Sequence, residues 1–255
     1  LELGPEGAWD DMATWTGSVI AHPGGGWAML YTGVSSREEG LVQRIGLARS
    51  RDLETWVKHP QNPVIEADPR WYEMLDLAIW FDQAWRDPWL IQDAATGLFH
   101  AFITARAASG DPGQRGVIGH ATSADLATWD VGEPINAPRG FGYMEVPQVF
   151  PLDGRWHLLF SAPAWALAAR PKPQCTGVFH AVADTAEGPY RERAPVWCDD
   201  VGSRYGGKVI ETPSGPVFLA FRSHNAAGSF VGEITDPIPI EVAPDGTVTL
   251  VESHP

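Results

Sequence analysis

The chain repeats itself. Ile45-Gly-Leu-Ala-Arg-Ser-Arg-Asp-Leu-Glu-Thr-Trp56 returns 73 residues later as Ile118-Gly-His-Ala-Thr-Ser-Ala-Asp-Leu-Ala-Thr-Trp129. Self-similarity of this kind means that one supersecondary unit is stacked several times, which excludes folds without internal repetition. Upstream of each copy runs an apolar, aromatic-rich stretch, Trp27-Ala-Met-Leu-Tyr-Thr32 and Leu98-Phe-His-Ala-Phe-Ile-Thr104, with equivalents from Arg155 to Ser161 and from Pro216 to Arg222. Short β-branched and aromatic runs between turn residues read as strands. Another strand precedes each, at Trp15 to Ile20, Trp89 to Ile91, Val146 to Leu152 and Lys208 to Glu211. A third follows, around Ile45 to Ala48, Ile118 to Ala121, Phe179 to Val182 and Phe230 to Ile234.

The unit is thus strand, turn, strand, loop, strand, Ser/Thr-x-Asp-type turn, strand, repeated four times at roughly 60 to 70 residues per repeat. Four antiparallel strands per unit is the make-up of a propeller blade. The fold class expected is all-β, one propeller domain over 1–255, with blade repeats at 14–66, 84–135, 144–197 and 204–255 and residues 1–13 as the tail of a first blade. Composition agrees: 12 Trp, 27 Gly and 22 Pro favour short strands and tight turns over long helices. Trp27, Trp56, Trp129 and Trp156 occupy repeated positions and are expected to pack between blades. Two stretches depart from the repeat. Asp68 to Trp80 reads as a short helix or packed loop, and Ala162 to Pro173 as an insertion of the kind that borders binding sites.

Charge narrows the partners. Lys+Arg is 18 and Asp+Glu is 32, a net charge of -14 that repels phosphate backbones and anionic headgroups, so neither nucleic acid nor a membrane surface is expected. No apolar run approaches the roughly 18 residues of a membrane span, and Leu1 to Glu6 lack the pattern of a signal peptide. A soluble chain is expected, with the cytoplasm slightly favoured over secretion and the oligomeric state open. Cys175 and Cys198 either pair or remain free thiols. The eight His show no His-x-x-x-His and no Cys/His cluster, so no metal site and no cofactor are expected. His120 and His224 read as structural or pocket-polar groups. Gly24-Gly-Gly26 is a hairpin turn, because no helix follows to make it a phosphate loop. Ser18 and Ser161 lack the Gly-x-Ser-x-Gly elbow of serine hydrolases.

In a propeller the first strand of each blade lines the axis, so polar residues at its start converge at one mouth. The four starts are Thr14-Trp-Thr-Gly-Ser18, Trp85-Arg-Asp-Pro88, Met144-Glu-Val-Pro-Gln148 and Ser203-Arg-Tyr-Gly-Gly207. Asp87 and Glu145 are acids beside apolar neighbours, and Arg86 adjoins the first. Two carboxyls in different environments are the minimum equipment for glycoside hydrolysis, one giving a proton to the leaving oxygen while the other stabilises positive charge or attacks. The plainer alternative is a turn at Asp87 and a strand-end charge at Glu145. Spacing poses a difficulty, because Asp87 stands one residue before its Pro and Glu145 two. Strict alternation would aim them at opposite faces unless the registers differ.

The chain resembles the five-bladed propeller glycoside hydrolases of family 32 type, the β-fructosidases. Trp15-Thr-Gly-Ser18 and Leu30-Tyr-Thr-Gly33 are similar to that family's Trp-Ser-Gly-Ser and Tyr-Thr-Gly elements, and Asn62-Pro-Val-Ile65 also matches. Arg86-Asp-Pro88 matches its Arg-Asp-Pro motif, and Glu145-Val-Pro147 its Glu-Cys-Pro motif with Val146 in place of Cys. The resemblance implies cleavage of terminal fructosyl units from sucrose or fructans, with a small-molecule or oligosaccharide substrate. It implies Asp87 as transition-state stabiliser, Glu145 as general acid/base, Arg86 as sugar ligand, and Trp15 and Thr16 as pocket lining. Asp11, Gln148 and Tyr205 complete the expected sugar-binding set. One element has no counterpart: the nucleophilic Asp of an Asn-Asp-Pro-Asn-Gly-like motif. Asp10 and Asp11 read as loop or rim residues, and the nucleophile is expected upstream of Leu1. The alternatives are a non-catalytic carbohydrate-binding propeller and an inverting, arabinosidase-like glycosidase.

Overall fold

The computed structural model describes residues 1–137, 139–168, 175–225 and 227–251. Among them lie four antiparallel sheets and short 3-10 turns but no α-helix. The first sheet joins β1 (Ala13–Ala21), β2 (Trp27–Val34), β3 (Gln43–Ser50) and β4 (Trp56–Lys58) in chain order. The second joins β5 (Trp85–Gln92), β6 (Phe99–Arg106), β7 (Gly116–Ser123) and β8 (Asp130–Gly132) the same way. The third contains β9 (Glu145–Leu152), β10 (Arg155–Ala162) and β11 (Thr176–Ala183), with β12 (Arg191–Glu192) and β13 (Trp197–Asp199) both pairing with β11. The fourth is built on β14 (Tyr205–Thr212) and β15 (Gly215–His224), continuing through β17 (Ile238–Val242) to β18 (Val248–Leu250), while β16 (Phe230–Ile234) also pairs with β15. This is the all-β propeller arrangement that the repeat implies.

Identical hydrogen bonds explain the repeated sequence. In the β3–β4 turn, Ser50 Oγ accepts from Leu53 N (2.9 Å) and Asp52 Oδ1 from Glu54 N and Thr55 N (2.9 and 2.7 Å). In the β7–β8 turn, Ser123 Oγ accepts from Leu126 N and Asp125 Oδ1 from Ala127 N and Thr128 N, each at 2.8 Å. Short side chains that accept from backbone two or three residues on make such turns cheap to form. Each ends with an indole N–H, of Trp56 or Trp129, donating to the Leu carbonyl. Trp129 and Trp156 pack against the cores between sheets.

Those cores fill the space between neighbouring sheets. One, around Trp85, Leu30, Ile45 and Ile103, lies between the first and second. Another, around Phe102, Phe141, Phe160 and Phe179, lies between the second and third, and a third, around Phe150, Val178 and Phe218, between the third and fourth. Stacked repeats share one continuous apolar interior in this way. Asp68 to Trp80 is a packed loop, the first of the two forms expected for it being absent. Tyr72 seals it, with its ring 4.6 Å from Trp85 and its hydroxyl donating to Gly132 O at 2.7 Å. Glu73 beside it accepts from buried Arg106 Nε at 2.7 Å. Of the expected insertion at Ala162 to Pro173, residues 169–173 lie outside the described residues, and Ala164–Ala166 forms a single 3-10 turn. Cys175 and Cys198 form a disulfide, closing the question left open by the sequence. Among the described residues no helix is long and apolar enough to cross a membrane.

Candidate active site

Each inner strand opens with a β-bulge. Arg86 lies opposite Thr104 and Trp89 opposite Phe102, so Asp87 and Pro88 together face one residue of β6. The same slip falls between Glu145 and Gln148, between Tyr205 and Lys208, and between Thr14 and Gly17. By register, Arg86, Glu145, Tyr205 and Thr14 are equivalent, followed by Asp87, Val146, Gly206 and Trp15. Three of that second set are left-handed, with φ of 56° at Asp87, 50° at Val146 and 60° at Gly206. A residue in this conformation turns its N–H out of the ladder, and each N–H finds a hydroxyl on the preceding sheet's central strand. Asp87 N donates to Thr32 Oγ1 (3.0 Å), Val146 N to Thr104 Oγ1 (3.2 Å) and Gly206 N to Ser161 Oγ (2.8 Å).

The bulges dissolve the spacing difficulty. Asp87 and Glu145 are one step out of register, and the re-aimed backbone brings both carboxylates to one cation. Arg86 Nη2 donates to Glu145 Oε1 at 2.5 Å, and its Nε lies 3.6 Å from Asp87 Oδ2. Its Nη1 reaches Asp82 Oδ2 at 3.2 Å and Gln43 Oε1 at 3.0 Å, and its guanidinium carbon stands 4.6 Å from the Tyr143 ring. Burial opposes the Arg86 charge, but Asp87, Glu145 and Asp82 overcome it and raise its pKa above the ordinary value. It stays a cation at any working pH.

The remaining contacts fix each acid separately. Asp87 accepts from the hydroxyls of Thr16 and Thr104, the latter at 3.0 Å, and from Val146 N at 3.3 Å. Glu145 accepts from the Tyr205 phenol, whose pKa is raised first by burial and then by Glu145 itself, so the phenol keeps its proton. Tyr143 donates to Asp82 in the same way, and receives Trp80 Nε1–H at 2.6 Å. Lys208 Nζ donates to Val146 O and Pro147 O at 3.0 and 2.8 Å, behind the β9 bulge, and sits 4.8 Å from the Trp89 ring. Burial pushes the Lys208 ammonium down to about 7, against the pull of Asp87.

The structure therefore gathers Thr16, Arg86, Asp87, Glu145 and Tyr205 at one place. Trp15 is exposed beside Thr16. Two other expected residues are occupied elsewhere. The Gln148 amide closes on the Val209 backbone at both ends, at 2.7 and 2.8 Å, tying the third sheet to the fourth. The Asp11 carboxylate accepts from Gly7 N, Ser36 N and Ser36 Oγ at 2.7 to 2.8 Å, three contacts that anchor a loop. Asp10 is buried and paired with Lys58 at 2.5 Å. Sequence reading missed Gln43, Asp82, Tyr143, Thr104 and Lys208. A hydroxyl near the end of each central strand, at Thr32, Thr104 and Ser161, was a visible signal for Thr104. Gln43 had none, since only folding brings it to Arg86, and Asp82, four residues before Arg86, stands in no motif that marks it.

Fructan 6-exohydrolase of Beta vulgaris is 26% identical over 156 residues, 60% of this chain and 24% of that one. A β-fructofuranosidase of Oryza sativa subsp. indica, insoluble isoenzyme 7, is 30% identical over 160 residues, with the same two coverages. The chain thus spans about a quarter of the length of these relatives. Among solved structures, the inulosucrase of Halalkalicoccus jeotgali bound to kestose superposes with a TM-score of 0.75 over 96% of this chain and 70% of its own, at 19% identity, a likeness of fold. The model described as the glycosyl hydrolases family 32 N-terminal domain matches residues 1–222, and the chain belongs to that family.

Proposed function

We propose that this chain carries the acid/base half of a β-fructofuranosidase-type glycosidase, acting on terminal fructosyl units of sucrose or a fructan. The observation that carries the reading is Arg86 held between Asp87 and Glu145 at the mouth formed by the inner strands. Glu145, partly exposed, is the general acid/base. Asp87, buried behind it and held by Thr16 and Thr104, accepts hydrogen bonds from sugar hydroxyls and stabilises positive charge that develops on the ring. Arg86 orients both acids. Trp15 offers an apolar face to the sugar.

We infer that the attacking carboxylate comes from polypeptide outside residues 1–255, as the family resemblance implies, within about 5 Å of the acid/base as retention requires.

Glu145→Gln in protein that cleaves an alkyl fructoside is expected to lower turnover by at least about a hundredfold, the usual worth of a positioned acid. The loss should shrink for an aryl fructoside whose leaving group needs no proton. Near-normal turnover of the alkyl substrate removes Glu145 from the mechanism and leaves a sugar-binding mouth.

A further inference from the structure

Two histidine pairs occupy matching places in the second and third sheets. His100 and His120 sit diagonally across β6 and β7, with His100 Nδ1 and His120 Nε2 2.9 Å apart. His157 and His180 repeat this across β10 and β11, with the corresponding nitrogens 3.0 Å apart. Each pair faces the next sheet, and there the two differ. Glu187, on the loop after β11, brings Oε1 to 3.8 Å from His100 Nδ1. At the second pair, His157 Nε2 lies 3.2 Å from Leu152 O, and the nearby acid Asp245 turns its carboxylate to Arg193, at 3.9 Å.

We propose that His100, His120 and Glu187 bind one first-row divalent transition-metal ion of the Zn2+ type, stitching the second sheet to the third. The three ligand atoms all lie within 4.8 Å of one another. Tetrahedral Zn2+ with bonds of about 2.0 to 2.2 Å holds its ligand atoms about 3.3 Å apart. The imidazole nitrogens at 2.9 Å therefore part by about 0.4 Å, and Glu187 closes by about 0.5 Å on His100 and by up to about 1.5 Å on His120, a movement its exposed side chain allows, to reach the bond lengths of such a site. Two imidazoles and one carboxylate form a set that favours Zn2+, Cu2+ or Ni2+ over Ca2+ or Mg2+, which prefer oxygen alone. The Glu187 side chain is 59% exposed and both rings are buried. The site is separate from the mouth. His100 stands four residues along β6 from Thr104, about 13 Å at the usual strand rise.

The second pair supplies an internal control. Calorimetric titration of the metal-stripped 255-residue chain with ZnCl2, in excess MgCl2 to occupy surface carboxylates, is expected to show one equivalent bound. Glu187→Gln should weaken it at least tenfold, His120→Gln should do the same, and His180→Gln should leave it unchanged. If His120→Gln fails to fold, exposed Glu187 still decides. Absence of binding overturns the proposal, as does affinity indifferent to Glu187→Gln or lost with His180→Gln.

Discussion

The bulges of β5 and β9 differ from those of β1 and β14 in what they carry. All four show the same slip of register, so the backbone device is common to the repeat. In β5 it presents Arg86 and Asp87 and in β9 Glu145, whereas β14 presents Tyr205 and β1 presents Thr14, Trp15 and Thr16. The acids lie on two adjacent sheets, and the outer pair supply the hydroxyls that hold them: Thr16 on Asp87 and Tyr205 on Glu145. A repeated scaffold can thus be architecturally uniform and chemically polar. One blade position becomes an acid, the next a cation, and their neighbours become donors.

Removing charge from the acid-bearing bulges should have the largest effect. Asp87→Asn keeps the shape and tolerates the left-handed backbone, so folding should survive. Fructosyl turnover should fall by about a hundredfold to a thousandfold, the range for losing a preorganised electrostatic contact. Steady-state kinetics beside thermal unfolding separates the two effects. An unchanged kcat would make the β5 bulge no different in kind from that of β1.

A second test exchanges the backbone demands of β9 and β14. Gly206 has φ of 60° and a Cβ there would have no neighbour nearer than Val146 Cγ1 at 3.9 Å, so Gly206→Ala isolates the conformational cost. It should destabilise the chain by about 1 to 2 kcal/mol, the worth of a Cβ in the left-handed conformation. Val146 already bears that strain at φ of 50°, and Val146→Asn should recover part of it, up to about 1 kcal/mol. Thermal melts that move in the same direction for both variants would show that the two bulges are not equivalent.

The smallest effect concerns the residue after each bulge, which is Trp89 in β5 and Lys208 in β14. The folded Lys208 pKa of about 7 lies below its unfolded value, so between these values the unfolded chain holds a proton that the folded chain has released. Stability attributable to Lys208 therefore rises with pH above 7 and is lost as pH falls to 7. The stability difference between the natural chain and Lys208→Met should grow by about 1 kcal/mol from pH 7 to 8, and stay flat below pH 6. Denaturant titration at several pH values measures this, and a flat difference across the whole range would put Lys208 in an ordinary solvated setting.

The sequence determined the strands, the Ser-x-Asp turns and the fourfold repeat, because spacing of apolar residues and short-range acceptors are local properties. It also pointed to Arg86, Asp87, Glu145, Thr16 and Tyr205, whose motifs stand at the starts of inner strands. Register was beyond it. Alternation counted along one strand set Asp87 against Glu145, and only the bulges, fixed by pairing with β6 and β10, reconciled them. Gln43 and Tyr143 join Asp82 and Arg86 through packing of segments 39 to 61 residues apart, and the histidine pairs form across strands where no sequence spacing links them. Local chemistry writes the elements of a propeller. Which side chains meet at its mouth is decided by how sheets with twist and slipped register close on one another, since that geometry belongs to pairs of strands and to no single one.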